Sequence, residues 1–311
     1  MTPEEFNQIL SEQIIVIDGA MGTMVQNYDL NAKSYGGEDF QMLSDILVFS
    51  CPDVVKEIHL EYFKAGANAV ETNTFGASPL RLQEFDFNKL NPAGFPEQPD
   101  KADLRELSIE ELTLRLNRQA VEIAKQALDE YKASKEYDQR PLFVLGSIGP
   151  SNWVLSSTHA DLRKATFEQI VENFYCQVSG LIDGGVDVLL FETQQDILEL
   201  KAAVIGAKRA MREKNRQVAI IAQVTVDKFT KMQIFNTDIH AAMVTIQDIG
   251  IDVFGINCSI GPDLMLPTVK KISRYSKLPI SIIPNAGLPQ SEDGKTVFKL
   301  TPEEMAAHIE T

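Results

Sequence analysis

Short apolar runs alternate with longer amphipathic ones along almost the whole chain. The runs at 14–20, 69–75, 142–148, 188–192, 218–226, 253–258 and 280–284 are near-continuously apolar. They predict seven buried strands, of the kind that parallel sheets covered by helices require. Between them, 54–67, 108–134, 166–184, 196–212, 238–250 and 263–276 carry helical patterns. Four helix-to-strand junctions share a small-residue cadence: Ala65-Gly66-Ala67-Asn68, Asp183-Gly184-Gly185-Val186, Asp248-Ile249-Gly250-Ile251 and, less cleanly, Tyr275-Ser276-Lys277-Leu278. Glycine suits the left-handed cap that ends a helix before a strand. A βα unit repeated with right-handed crossovers builds a parallel barrel or a doubly wound sheet.

Length narrows the choice little, since 311 residues suit one large α/β barrel or two ordinary domains. Two segments break the rhythm: a long polar loop over 27–49 and a Pro- and Asn-rich insertion over 88–101. Neither reads as a linker, so the expectation is one domain over 1–311. Hydrophobic residues at 44% and charged residues at 23% fit a soluble globular protein. A net charge of −15 argues against nucleic acid and against an anionic membrane surface as partner. Three cysteines, an odd number, make a disulfide framework an unlikely design and point to a reducing cytoplasm. The N-terminus Met1-Thr2-Pro3-Glu4-Glu5 lacks the apolar stretch of a signal peptide, and no run approaches the roughly 18 residues of a membrane span.

The chemistry lies at the strand ends. In order these read Asp18-Gly19-Ala20-Met21-Gly22-Thr23, Glu71-Thr72-Asn73-Thr74-Phe75-Gly76, Gly146-Ser147-Ile148-Gly149-Pro150, Glu192-Thr193-Gln194, Asn257-Cys258-Ser259 and Asn285-Ala286-Gly287-Leu288-Pro289. Carboxylates, amides and one thiol at one mouth, with glycines that let backbone N–H groups approach, suit a small polar substrate. A thiolate at Cys258 serves equally as a nucleophile or as a soft metal ligand.

Simpler roles compete with these. Free cysteine is among the most buried residue types, so Cys258 also fits a core position. Asp18 before glycine also fits a turn. Glu71 and Glu192 close apolar strands, where an unpaired buried carboxylate is costly, so they belong at the mouth or beside a cation. Cys176 in mid-helix and Cys51 before Pro52 read as structural, as do His59 and His240. His159 and His308 have no metal-ligand spacing, and Gly19-Ala20-Met21-Gly22 matches no phosphate-loop pattern.

Taken together, Ile17-Asp18-Gly19-Ala20-Met21-Gly22-Thr23, Glu71-Thr72-Asn73-Thr74-Phe75-Gly76, Phe191-Glu192-Thr193, Gly255-Ile256-Asn257-Cys258-Ser259-Ile260-Gly261-Pro262 and Pro284-Asn285-Ala286-Gly287-Leu288-Pro289 resemble the homocysteine-binding barrel of the homocysteine S-methyltransferase family. The resemblance runs over essentially the whole chain. The Glu-Thr-Asn-Thr-Phe block and the loop carrying Tyr35-Gly36-Gly37-Glu38-Asp39-Phe40 resemble the cobalamin-dependent branch more than the single-domain branch that uses sulfonium donors.

The resemblance implies a (β/α)8 barrel whose zinc activates homocysteine as a thiolate, with the methyl group coming from methylcobalamin and methionine as product. Cys258 matches a zinc ligand and is the expected catalytic residue, with Asn285 near the metal when substrate is absent. Asp18 and Glu192 match the acids that hold the substrate ammonium; Gly19 offers backbone N–H to its carboxylate, and Asn257 belongs to the same binding set. The implied partners are homocysteine and the cobalamin- and folate-binding modules of an intact enzyme. One departure stands out: the family's Gly-Gly-Cys-Cys-Gly block, which supplies two more zinc ligands at the eighth strand, is absent. The chain therefore reads as C-terminally truncated, short of its last βα unit, inactive alone and prone to self-association across an open barrel edge. Two alternatives remain, a single-domain methyltransferase using a sulfonium donor such as S-methylmethionine and a non-catalytic amino-acid binder.

Overall fold

Six of the seven apolar runs become strands of one parallel sheet. The computed structural model describes residues 1–97, 102–157, 165–292 and 295–309. Strands β1 (Ala69–Glu71), β2 (Phe143–Ile148), β3 (Val188–Gln194), β4 (Ala219–Val224), β5 (Val253–Asn257) and β6 (Ile280–Ile283) are hydrogen-bonded in chain order. Every neighbouring pair is parallel, and helices such as Ile109–Ala133, Phe167–Gly184 and Ile197–Glu213 make the crossovers. This is the α/β class of the (β/α)8 barrel, curled through six strands. Two cadence glycines do what their positions require: Gly66 and Gly185 cap their helices with φ of 113° and 88°, while Gly250, with φ of 84°, lies two residues past the cap of the helix Ile239–Gln247.

The run at 14–20 departs from expectation. It makes one single-residue bridge, Ile17 to Ala69. Its backbone still follows β1: Asp18 N–H donates to Ala69 O, while Asn68 and Ala69 N–H both donate to Val16 O. On its other side no strand lies beside it among the described residues, and Ile14 and Val16 are 88% and 54% exposed. A ladder needs packing as well as hydrogen bonds, and here half of the packing surface is missing.

The 27–49 segment corrects a second expectation. It holds three short 3₁₀ turns and the helix Leu47–Ser50, and it buries Phe40, Leu43, Ile46, Leu47, Val48 and Phe49 against Leu82, Leu112 and Leu116. Its apolar residues follow neither helical nor strand period, which is why the sequence read as a polar loop. In the insertion at 88–101, Leu90 is buried, and 98–101 lie outside the described residues.

Side-chain alternation divides the sheet into two faces. Val144, Ile148, Leu189, Phe191, Ala222, Val224, Phe254 and Ile256 pack outward under the helices. Ala69, Phe143, Leu145, Val188, Leu190, Ala219, Ile221 and Val253 point inward with Ile15 and Ile17. The helix Pro3–Glu12 closes this end by seating Phe6 edge-on to Phe143, with ring centroids 5.9 Å apart. Two residues further along each strand the inward positions turn polar: Glu71, Ser147, Glu192, Gln223 and, on β6, Ser281. On β5 the matching inward residues are Gly255 and Asn257. The interior is thus a dry plug at the N-terminal ends and a polar cup at the C-terminal ends, where barrel chemistry sits.

The sheet is open between the 14–18 segment and β6 among the described residues, with Ile282 on β6 42% exposed. Unpaired β-branched edges attract other strands. The 311-residue chain is expected to self-associate across this opening at micromolar concentration. Sedimentation showing a stable monomer that melts cooperatively above roughly 60 °C contradicts this. Among the described residues no helix is long and apolar enough to cross a membrane.

Candidate functional site

Three acidic side chains share the polar cup. Asp18 leaves the 14–18 segment beside β1, and both of its carboxylate oxygens accept the Glu71 N–H at 3.1 Å. Glu71 ends β1 and Glu192 lies near the end of β3. Burial is the main force raising the pKa of Asp18 and Glu71 well above the ordinary carboxylate range, and repulsion from Glu192 adds to it in both. Burial pushes Glu192 up to about 7, against a hydrogen bond from Ser147 Oγ that favours its charged form. No lysine or arginine pairs with any of the three among the described residues. A cup of uncompensated acid is costly to fold and is prepared for a cationic ligand.

Asn257 ties the cup together. Its Oδ1 accepts Thr193 N–H at 2.7 Å, and its Nδ2 donates to Thr193 Oγ1 at 2.9 Å and to Glu192 Oε2 at 3.4 Å. Thr193 has φ of 57°, a strained conformation for a β-branched residue. The strain arises at a register shift on β3, where Phe191 pairs with Ala222 and Gln194 with Val224. Glu192 and Thr193 together therefore oppose the single residue Gln223, a β-bulge that re-aims their side chains.

Cys258 follows Asn257 on the rim. Cys258 and Ser259 both take left-handed conformations, with φ of 63° and 68°. Cys258 N–H donates to Ile283 O, Ile260 N–H to Cys258 O, and Asn285 N–H to Ile260 O. These bonds bring the Cys258 and Asn285 loops together. Gly19 lies against Tyr62, whose hydroxyl oxygen would stand 3.0 Å from an added Cβ. Burial, then the charges of Asp18 and Glu71, push the Tyr62 phenol up.

Other polar groups turn out to be structural. Thr72 and Thr74 hydroxyls bond each other at 2.6 Å, Thr74 Oγ1 donates to Ser147 O, and Asn73 Nδ2 donates to Ser44 O. Asp196 accepts the N–H groups of Leu155 and Ser156, and Glu199 accepts Ser151 N–H and Oγ, which fixes the loop after β2. His59 is fully buried, and burial pushes it down to about 4. His240 packs against Tyr275 with the rings tilted at 42°, and His159 lies outside the described residues. Sequence reasoning missed Gln223 and Ser281, whose side chains meet at 2.7 Å. A glutamine two residues after Ile221, within an apolar run, was the available signal.

The donor set fits a metal only in part. Cys51 caps the helix Pro52–Ala65 with its thiol near Ser34 O, and Cys176 sits in Phe167–Gly184 with its thiol near Glu110 O. No group of three or more His, Cys, Asp or Glu arranged to hold a metal ion occurs among the described residues.

Comparison with known proteins agrees with this architecture. A family model described as homocysteine S-methyltransferase matches residues 15–311. A methionine synthase of Mycobacterium tuberculosis is 35% identical over 300 residues, and one of Mycobacterium leprae 33%. Each alignment covers 96% of this chain but 22% of the relative, so the chain spans about a fifth of their length. Crystal structures of the homocysteine methyltransferase MmuM from Escherichia coli share the fold: the metallated form gives a TM-score of 0.67 at 22% identity, covering 91% of this chain and 87% of that one. The oxidised form gives 0.68.

Proposed function

The chain belongs to the homocysteine S-methyltransferase family, and from that premise we propose that residues 1–311 form the homocysteine-binding module of a methionine synthase type of enzyme. In that enzyme homocysteine takes a methyl group from methylcobalamin to give methionine. The observation that carries the reading is the acidic cup, Asp18, Glu71 and Glu192, which no lysine or arginine pairs with among the described residues. The mycobacterial relatives are named as methionine synthases, which supports methionine as the product. The same relatives' greater length supports folate- and cobalamin-binding modules as partners.

Asp18 and Glu192 receive the substrate ammonium, and Asn257 fixes the orientation of Glu192. Backbone N–H groups at and after Gly19 face the substrate carboxylate. This arrangement directs the thiol toward Cys258 and Asn285 on the rim. Holding the amino-acid end fixed places the sulfur for an in-line methyl transfer, which lowers the entropic part of the barrier.

Zinc is implied by the family, yet Cys258 and Asn285 fall short of the three protein ligands that a catalytic zinc usually has. The 311-residue chain is expected to hold no stoichiometric zinc and to transfer no methyl group at a measurable rate by itself. Elemental analysis finding about one tightly held zinc per chain, lost on Cys258→Ala, contradicts this.

The function is tested by supplying homocysteine with methylcobalamin, and separately with S-methylmethionine, to residues 1–311 within the longer enzyme that the proposal implies. Methionine formed only from methylcobalamin supports the proposal. Methionine formed only from the sulfonium donor selects the other branch. Amino-acid binding without either reaction selects a non-catalytic binder.

A further inference from the structure

Gln223 occupies the middle of the acidic cup and has no assigned task. It is fully buried on β4, at an inward position. Its Nε2 donates to Ser281 Oγ at 2.7 Å, two strands away on β6. To get there the side chain passes over Gly255, where an added Cβ would stand 3.0 Å from Gln223 Cγ and 2.4 Å from Ser281 O. Glycine at 255 is what leaves room for the crossing. A second bridge runs the other way, from Asn257 Nδ2 on β5 to Glu192 Oε2 on β3. The register places Gln223 between the ends of that bridge, opposite the Glu192–Thr193 bulge.

One atom in this lattice is unmatched. Gln223 Oε1 is buried without a hydrogen-bond partner. A buried acceptor left unmatched is destabilising, and one that faces a polar cup calls for a partner, whether a bound water, an ion or a ligand. The nearby amide donor, Asn257 Nδ2, already serves Glu192 and Thr193. An alkylammonium carries three N–H donors. Asp18 and Glu192 account for two of them.

We propose that Gln223 is a substrate-binding residue whose carboxamide oxygen accepts the third N–H of the substrate ammonium, so that the cup selects a primary amine by its full set of donors. This rests on the reading of the cup as an amino-acid pocket. It predicts discrimination: a ligand that lacks the amine has nothing to give Gln223. Ser281, which holds the amide in place, is then a positioning residue.

The experiment is calorimetric titration of the protein and of Gln223→Met and Gln223→Glu with homocysteine and with 4-mercaptobutanoic acid, its analogue without the amine. The wild type is expected to prefer homocysteine. In Gln223→Met, homocysteine affinity is expected to fall about tenfold or more while affinity for the analogue changes less than about twofold. Gln223→Glu keeps an acceptor oxygen and is expected to retain the preference. Equal losses for both ligands in Gln223→Met, or an unchanged preference, overturns the inference and leaves the pocket reading standing. Loss of the preference in Gln223→Glu also overturns the inference, and it decides the matter should Gln223→Met fail to fold. A wild type with no preference for the amine overturns the pocket reading itself, and the inference with it.

Discussion

Replacing Glu192 by Gln is expected to weaken methionine binding at pH 8 by roughly 10- to 150-fold, the equivalent of about 1.5–3 kcal/mol for one charge-assisted hydrogen bond. The substitution keeps the shape of the side chain. Its amide oxygen can still accept from Ser147 Oγ, so the wall between β2 and β3 is preserved. What disappears is the negative charge facing the ammonium, together with the long hydrogen bond that Glu192 Oε2 accepts from Asn257 Nδ2. Because burial pushes Glu192 up to about 7, that charge is itself pH-dependent. Wild-type affinity should therefore rise from pH 6 to pH 8, as the carboxyl loses its proton while the ligand ammonium keeps its own. The Gln variant should show a flatter profile. Methionine is the better ligand here because it has no thiol to titrate. Calorimetry that finds equal affinities at pH 8 contradicts the assignment of Glu192.

Much of this site was legible before any coordinate. Six strands came from runs of five to nine apolar residues, because a strand covered by helices must be apolar throughout. Asp18, Glu71, Glu192, Asn257 and Cys258 stood out because each ends such a run, where a polar side chain needs a reason to be. The failures have physical causes as well. The 14–20 run has strand composition, but strand formation depends on neighbours that its own sequence does not describe. The 27–49 segment packs a core with irregular turns, so its apolar residues carry no period to detect. Gln223 escaped because one glutamine inside an apolar strand looks like an exception; only the register shows that it shares a level with Glu192 and Gly255. The bulge at Glu192–Thr193 is likewise a property of two strands together.

The acidic cup should also destabilise the empty protein, and Glu192→Gln should reveal this with a sign opposite to its effect on binding. Glu192 ordinarily titrates near 4.5 and in the fold at about 7. Below 4.5 the folded and unfolded chains both hold the proton, and the contribution favouring the fold is fully present. As pH rises further, the unfolded chain ionises freely while the folded one must keep its proton or bury a charge, so stability is lost until pH passes about 7. Each unit of that gap corresponds to about 1.4 kcal/mol, giving a loss of about 3 kcal/mol by pH 8. The Gln variant has no such titration. Asp45, Glu199 and His59 also titrate abnormally, but they are common to both proteins and cancel in the difference; Asp18 and Glu71 do not cancel, because Glu192 repels both, and relieving them moves the difference in the same direction. Denaturant unfolding at pH 5 and at pH 8 is thus expected to shift the stability difference toward Glu192→Gln by roughly 2 kcal/mol or more, since part of the loss lies below pH 5. Saturating methionine should narrow the gap, because the ligand ammonium supplies the missing cation and binds the wild type more tightly. A difference that stays constant from pH 5 to pH 8, or one that moves toward the wild type, would mean that Glu192 is not a buried acid held for a cation.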